Sequence, residues 1–319
     1  MLLQLFRVVT CCLAGLIASK TAAARAGQLA LENAGPQSDY RLRAESTLVV
    51  IPVSVTDTSN RFVLNLEKDN FQLFENGIKQ RISQFSAEDA PLSVGLLVDT
   101  SGSIGAKIEI VRRAVAEFVK TANREDEAFL IEFSDHAELA SGFTSDMSAI
   151  NAQMSSVQSQ GLTALLDAVH LGLDEMKNAK NPRKALLIIS DGGDNNSRYT
   201  VQQIEGIVRE ADVQIYSMGV FEPAWLGGVT SAGISGPQLL AEISEQTGGR
   251  VFPARSSTAL PSIARRIGME LRNEYVLAYA PSNADRDGKY RKVEVKLQTP
   301  QGLSDLKARW RAGCYASRQ

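Results

Sequence analysis

The sequence predicts an α/β chain, a doubly wound and mostly parallel sheet with helices on both faces, joined by a small β module drawn from its two flanks. Three observations predict it. Short apolar runs rich in Val, Ile and Leu, such as Val94 to Val98 (VGLLV) and Ala185 to Ile189 (ALLII), suit strands buried on both faces. Between them Ile108, Val111, Val115, Phe118 and Ala122 recur at helical spacing, so strand and helix patterns alternate. Outside residues 91–272 the period returns to two, the pattern of half-buried strands.

Taken in order, residues 1–26 read as a signal peptide: Arg7, an apolar run from Val8 to Ala18, then Ala22-Ala23-Ala24 and Ala24-Arg25-Ala26 as small-residue cleavage sites. The run is about half of the ~20 residues a membrane span needs, so no transmembrane helix is expected in the processed chain. Export is expected, to the periplasm or outside the cell. Cys11 and Cys12 fall in the removed segment, which leaves Cys314 as an inert thiol or an intermolecular bridge and allows no internal disulfide.

Residues 27–90 are expected to end in a small β module. Thr47 to Thr56 reads as a strand with Val49, Ile51, Val53 and Val55 on one face, and Asp57 to Asn60 as a turn. Asn76-Gly77 joins the runs Phe71 to Glu75 and Ile78 to Phe85, since this dipeptide readily supplies two successive positive φ values. Within 91–272 the expected strands are 94–98, 129–133, 185–189 and 213–220. The expected helices are 108–122, 165–176, 201–211, 239–247 and 260–271. Residues 273–319 then alternate in three short strands, marked by Tyr275, Leu277 and Tyr279, by Val293, Val295 and Leu297, and by Leu306, Ala308 and Trp310. Each flank is too small to bury a face alone, so the two are expected to join in one sheet or sandwich.

Composition narrows the function. The 319 residues are 44% hydrophobic and 22% charged, ordinary globular proportions. With 34 basic and 36 acidic residues the net charge is −2, without the broad positive footprint that backbone-driven nucleic-acid binding requires. Nucleic acid is therefore not expected as a partner.

The chemistry gathers where strands end, because ligands of open parallel sheets bind beyond the carboxyl ends. The first such end reads Asp99-Thr100-Ser101-Gly102-Ser103, a D-x-S-x-S run with one carboxylate and two hydroxyls at alternate positions. Another reads Asp191-Gly192-Gly193-Asp194, and Gly161-Leu162-Thr163 places a hydroxyl at a helix start. Five oxygen donors, Asp99, Ser101, Ser103, Thr163 and Asp191, suit a hard divalent cation, Mg²⁺ or else Mn²⁺ or Ca²⁺. With neutral hydroxyls among its ligands the ion keeps unneutralised charge and attracts a carboxylate from outside.

On these motifs, residues 92–272 resemble a von Willebrand factor type A domain with a metal-ion-dependent adhesion site, a Rossmann-like fold. The resemblance implies that Ser101, Ser103 and Thr163 contact the metal directly or switch in and out, and that Asp99 and Asp191 act through waters. The whole chain also resembles an exported bacterial variety with a short β module before the A domain, through FQLFENG, APLSVGLLVDTSGSI and NEYVLAYAP. It departs from that group at Cys314-Tyr315, where an aromatic pair is usual.

Several residues have plainer readings. Asp99, Ser101 or Ser103 taken singly can be helix caps. Asp167 complements a helix dipole and is assigned no ligand role. His136 and His170 have no ligand-like partner at a recognisable spacing. Gly192, Gly193, Asp194 and Trp225 are assigned to the partner-facing surface, against an ordinary loop reading for Asp194 and Trp225. The expected function is a non-catalytic module that captures an acidic side chain of a protein partner through its metal. The alternatives are an envelope structural or assembly protein with a purely structural metal, or an aspartate-based phosphohydrolase. The last lacks the second acid two residues after Asp99, where Ser101 stands. Oligomeric state has no sequence signal.

Overall fold

The computed structural model of the protein describes residues 48–316 apart from 88, 222–229, 231–232, 301 and 303–304. The expected signal segment, Cys11, Cys12 and Trp225 lie outside the described residues.

The chain opens with β1 (Val49–Thr56), β2 (Phe71–Glu75), β3 (Ile78–Gln80) and β4 (Ile82–Ser86). Asn76 (φ 48°) and Gly77 (φ 80°) make the expected tight turn between β2 and β3. The predicted single strand 78–85 is split at Arg81: β3 stays with β2, whereas β4 crosses to another sheet.

The α/β part follows. Its strands are β5 (Leu92–Asp99), β6 (Glu127–Phe133), β7 (Ala137–Thr144), β8 (Arg183–Ser190), β9 (Gln214–Val220) and β10 (Val251–Ala254). They lie in the order β10-β9-β8-β5-β6-β7, all parallel except β7. The helices are α1 (Ile108–Val119), α2 (Met147–Ser156), α3 (Leu165–Glu175), α4 (Val201–Glu210), α5 (Gly236–Glu245) and α6 (Leu260–Arg272).

Strand alternation builds two cores from one sheet. Val94, Leu96 and Val98 of β5, with Ala185, Leu187 and Ile189 of β8, pack under α1, α2 and α6. Leu97, Leu186 and Ile188 face the opposite way and pack under α3, α4 and α5. Both faces are covered, which is why these strands read as continuous apolar runs. The predicted α/β fold is the one observed.

The chain ends in β11 (Glu274–Tyr279), β12 (Tyr290–Leu297), β13 (Lys307–Trp310) and β14 (Gly313–Tyr315), four strands where three were expected. They interleave with the first four in two antiparallel sheets, β13-β1-β11-β4 and β14-β12-β2-β3. One hydrophobic cluster draws on both sheets: Ile51, Val53 and Leu277 from the first, Phe71, Leu73 and Val295 from the second. Phe71, Phe85 and Tyr275 pack together within it, Phe85 stacked on Tyr275 and Phe71 tilted against both, with ring centroids 5.0 to 5.9 Å apart. Cys314 is a free thiol buried on β14, beside Tyr279, and burial raises its thiol pKa, so the inert-thiol reading fits.

The buried Arg183–Glu274 ion pair (2.8 Å) ties the first residue of β8 to the first residue of β11. Gln214 of β9 donates a second hydrogen bond to Glu274 (2.8 Å), and Tyr216 a third (3.3 Å). Among the described residues no helix is long and apolar enough to cross a membrane.

Candidate metal centre

Strand order reverses at β5, whose neighbours run outward to β6 on one side and β8 on the other. Such a switch point leaves a crevice beyond the carboxyl ends, because the connections leave the sheet in opposite directions. Asp99 is the last residue of β5 and Asp191 immediately follows β8, so the two acids stand at adjacent strand ends.

Asp99 is fully buried. One carboxylate oxygen accepts from the Ser101 amide (2.9 Å) and the other from the Ser190 hydroxyl (2.6 Å). Burial raises its pKa to about 7; hydrogen bonds from Ser101 and Ser190 oppose the rise, and the charge of Asp191 adds to it. Ser101 is buried and Ser103 exposed, and their hydroxyl oxygens lie 3.0 Å apart. Asp191 is buried and accepts from the Gly193 amide (2.9 Å), an Asx turn that aims the strand end outward.

Thr163 reaches this end on the loop before α3. The Gly102 amide donates to the Gly161 carbonyl (3.1 Å) and Gln160 to the Thr100 carbonyl (2.8 Å), pinning that loop to the D-x-S-x-S segment. The Thr163 amide donates to Asn195 Oδ1 (2.8 Å), while its carbonyl accepts from the amides of Asn195 and Asn196 (3.0 Å each). Backbone bonds therefore connect the loops carrying all five predicted donors.

Two glycines are required here. Gly161 has φ +84°, and a Cβ would fall 2.7 Å from the Asp135 carboxylate, which accepts from the Leu162 amide (2.8 Å). Gly192 has φ +77°, and a Cβ would lie 2.4 Å from the Gly236 carbonyl oxygen.

The partner-facing assignments change. Gly192, Gly193 and Asp194 are buried rather than displayed. The Asp194 carboxylate accepts from the Leu166 amide in the first turn of α3 (3.2 Å) and from the Ser197 hydroxyl, satisfying a helix start. Burial raises its pKa. The surface beside the hydroxyls is made by Gly102, Leu162 and Asn195, all exposed. Asp167 is likewise structural, accepting from the Arg198 and Tyr199 amides and the Arg198 side chain. His136 is exposed on the β6–β7 turn, and His170 stacks on Tyr199 at 4.2 Å.

Ser190, Asn195 and Asp135 hold the site; Ser190 and Asp135 were not singled out from the sequence, and Asn195 reads there as a solvated loop residue rather than a secondary ligand. Ser190 adjoins Asp191 and was findable as a strand-end hydroxyl; Asn195 and Asp135 act through contacts distant in sequence and leave no local signal.

Neither Asp99 nor Asp191 forms an ion pair with Lys or Arg among the described residues. No group of three or more His, Cys, Asp or Glu there is placed to hold a metal, so a cation at this end must draw on hydroxyls as well as the two acids. Oxygen donors alone, two of them acids in a setting without a counter-charge, fit a hard divalent ion.

Comparison with known proteins agrees with the fold. Residues 94–193 match the family described as von Willebrand factor type A domain. A von Willebrand factor type A structure from Catenulispora acidiphila aligns with TM-score 0.50 at 10% identity, covering 86% of this chain and 75% of its own. Proximal thread matrix protein 1 from the mussel byssus aligns with TM-score 0.50 at 19% identity, covering 62% and 51%. An uncharacterized protein of Borreliella burgdorferi is 22% identical over 184 residues, 51% of this chain and 54% of its own length. The chain thus spans about half the length of that curated relative. Residues 94–193 are thus similar to a von Willebrand factor type A domain.

Proposed function

We propose that the protein is an exported, non-catalytic binding module that uses a divalent cation, Mg²⁺ in the first instance, to capture an acidic side chain of a protein partner. The observation that carries this reading is the buried acid pair Asp99 and Asp191, without a basic partner among the described residues and ringed by the loops of Ser101, Ser103 and Thr163. A cation supplies the missing counter-charge.

In this reading Ser101, Ser103 and Thr163 hold the ion directly. Asp99 already accepts one hydrogen bond on each carboxylate oxygen and Asp191 one on a single oxygen, which suits them to act through waters. The bound ion supplies a Lewis-acidic position that a partner carboxylate completes. Ser103, Leu162 and Asn195 are the exposed neighbours that meet the partner. Export rests on the residue pattern of 1–26.

The test is thermal melting of the protein with and without Mg²⁺ or Mn²⁺, beside Asp99→Ala. A metal-dependent rise abolished in the variant is expected; an equal rise in both proteins would sink the metal assignment. A purely structural metal is separated by Thr163→Ala. Loss of partner capture with unchanged melting supports the binding module, whereas loss of the metal-dependent melting shift alone supports the structural metal.

A further inference from the structure

A cleft of about 780 Å³ lies away from the metal centre, between the residues leading into β10 and the strands β12 and β13. Its volume falls in the range of about 300 to 1,000 Å³ typical of ligand sites. Gly248, Gly249, Arg250 and Val251 form one wall, at the amino end of β10, whereas the metal centre sits at the carboxyl ends of this sheet. The opposite wall carries Lys292, Arg309 and Trp310.

The lining carries three cations, Arg250, Lys292 and Arg309, against two acids, Glu245 and Glu294. Arg250 lies over the Phe252 ring (4.2 Å) and pairs with buried Glu270. Arg309 is half-buried, yet among the described residues its side chain makes no hydrogen bond or ion pair. Burial, then the nearby Arg250 charge, pull its pKa down, while Glu270 and Glu245 pull the other way. Lys292 also has no ion pair among the described residues, and Glu294 is engaged by Lys296 at 3.5 Å. Glu245 also lines the cleft and acts on Arg309 without pairing with it, so this half-buried guanidinium beside a second one keeps unpaired charge that an arriving anion would meet.

The cleft is also bounded by strand edges. Among the described residues β10 pairs in its sheet only with β9, and β13 only with β1. Trp310 spends its indole N–H on the Val293 carbonyl (3.0 Å), so what it offers a ligand is ring surface.

We propose that this cleft is a second binding site, which takes an extended acidic polypeptide segment, its carboxylates set against Arg309 and Lys292 and its apolar side chains against Trp310. Charge complementarity selects the acidic class, and the two free strand edges favour an extended chain over a small anion. The site is independent of the metal.

The test uses the full chain and fluorescent eight-residue peptides of alternating Glu and Val, with Gln-for-Glu counterparts, by anisotropy at low and moderate salt in EDTA. The Glu peptide is expected to bind, the Gln peptide about ten- to a hundredfold more weakly, and salt to weaken the Glu peptide. Arg309→Gln and Lys292→Gln should each weaken binding, Arg309→Lys should restore part of it, and Asp99→Ala should leave it unchanged, with melting temperature checked for every variant. Equal binding of the Glu and Gln peptides, or no binding of either, overturns the proposal. Complete competition by millimolar sodium phosphate or acetate reassigns the cleft to small anions and overturns the peptide reading. Binding that needs Mg²⁺ and disappears with Asp99→Ala belongs to the metal centre and overturns it too.

Discussion

At the scale of single residues, Asp99 carries the sharpest consequence. Its pKa of about 7 stands well above the ~3.9 of an exposed aspartate, so the folded chain holds this proton more tightly than the unfolded one. The stability it contributes is complete below about pH 4 and is lost as pH rises through about 7. On the proposed reading a divalent ion held through waters would take the proton's place, since its charge favours the ionised carboxylate. The melting temperature of metal-free protein should therefore fall between pH 5 and 8, and the increment produced by Mg²⁺ should widen over the same range. A pH-independent increment in calorimetry would show that the ion does not feel this carboxylate. Gly192→Ala should destabilise by about 1 to 3 kcal/mol in denaturant titration, since it adds a left-handed penalty to a clash with the Gly236 backbone. The residues proposed as donors could be placed from the sequence because D-x-S-x-S, Thr163 and Asp191 each sit at a strand or helix boundary the sequence marks. Asp194 misled because a carboxylate beside Asn195 and Asn196 reads as a wet loop. Only the folded chain brings it under the start of α3.

At the scale of elements, legibility follows burial. Strands β5 and β8 are buried on both faces and announce themselves, as does α6 with its apolar stripe of Leu260, Ala264, Ile267 and Leu271. The strand β7, AELASGFT, is a half-exposed edge with bulged pairing to β6, and its mixed composition carries no period. Helix α2 was missed for a similar reason: only Ile150 and Met154 are buried along it, and Asp146 caps it through the Ser148 amide (2.9 Å). Helix α4 has the reciprocal Thr200 and Gln203 cap. Thr200→Ala should cost about 1 kcal/mol by chemical denaturation, with no effect on metal binding. Leu187→Ala, in a fully buried position of β8 against the α1 and α6 face, should cost about 2 to 5 kcal/mol.

At the scale of the whole molecule, the flanks were legible as strands that join in a sheet or sandwich, but not which strand enters which of the two sheets, because sheet membership is decided by pairing partners far along the chain. The split at Arg81 sends β3 and β4 to different sheets, and no local pattern in 78–86 records it. The Arg183–Glu274 pair sits where the parallel sheet meets β11. Glu274→Ala should cost about 3 to 5 kcal/mol, since it strands a buried guanidinium, and Glu274→Gln should cost less. Loss of stability too small to measure in the alanine variant would show that the pair is not a tie between these layers. The interleaving also has a consequence in time. Residues 49–54 pair with residues 274–279, so β1, the first of the described strands to leave the ribosome, finds this partner only after more than 200 further residues have been made. The α/β strands, closer together in sequence, can assemble meanwhile. Until that pairing closes, β1 presents an unpaired apolar edge of the kind holding chaperones bind, and pulse proteolysis during refolding should find it protected no earlier than β11.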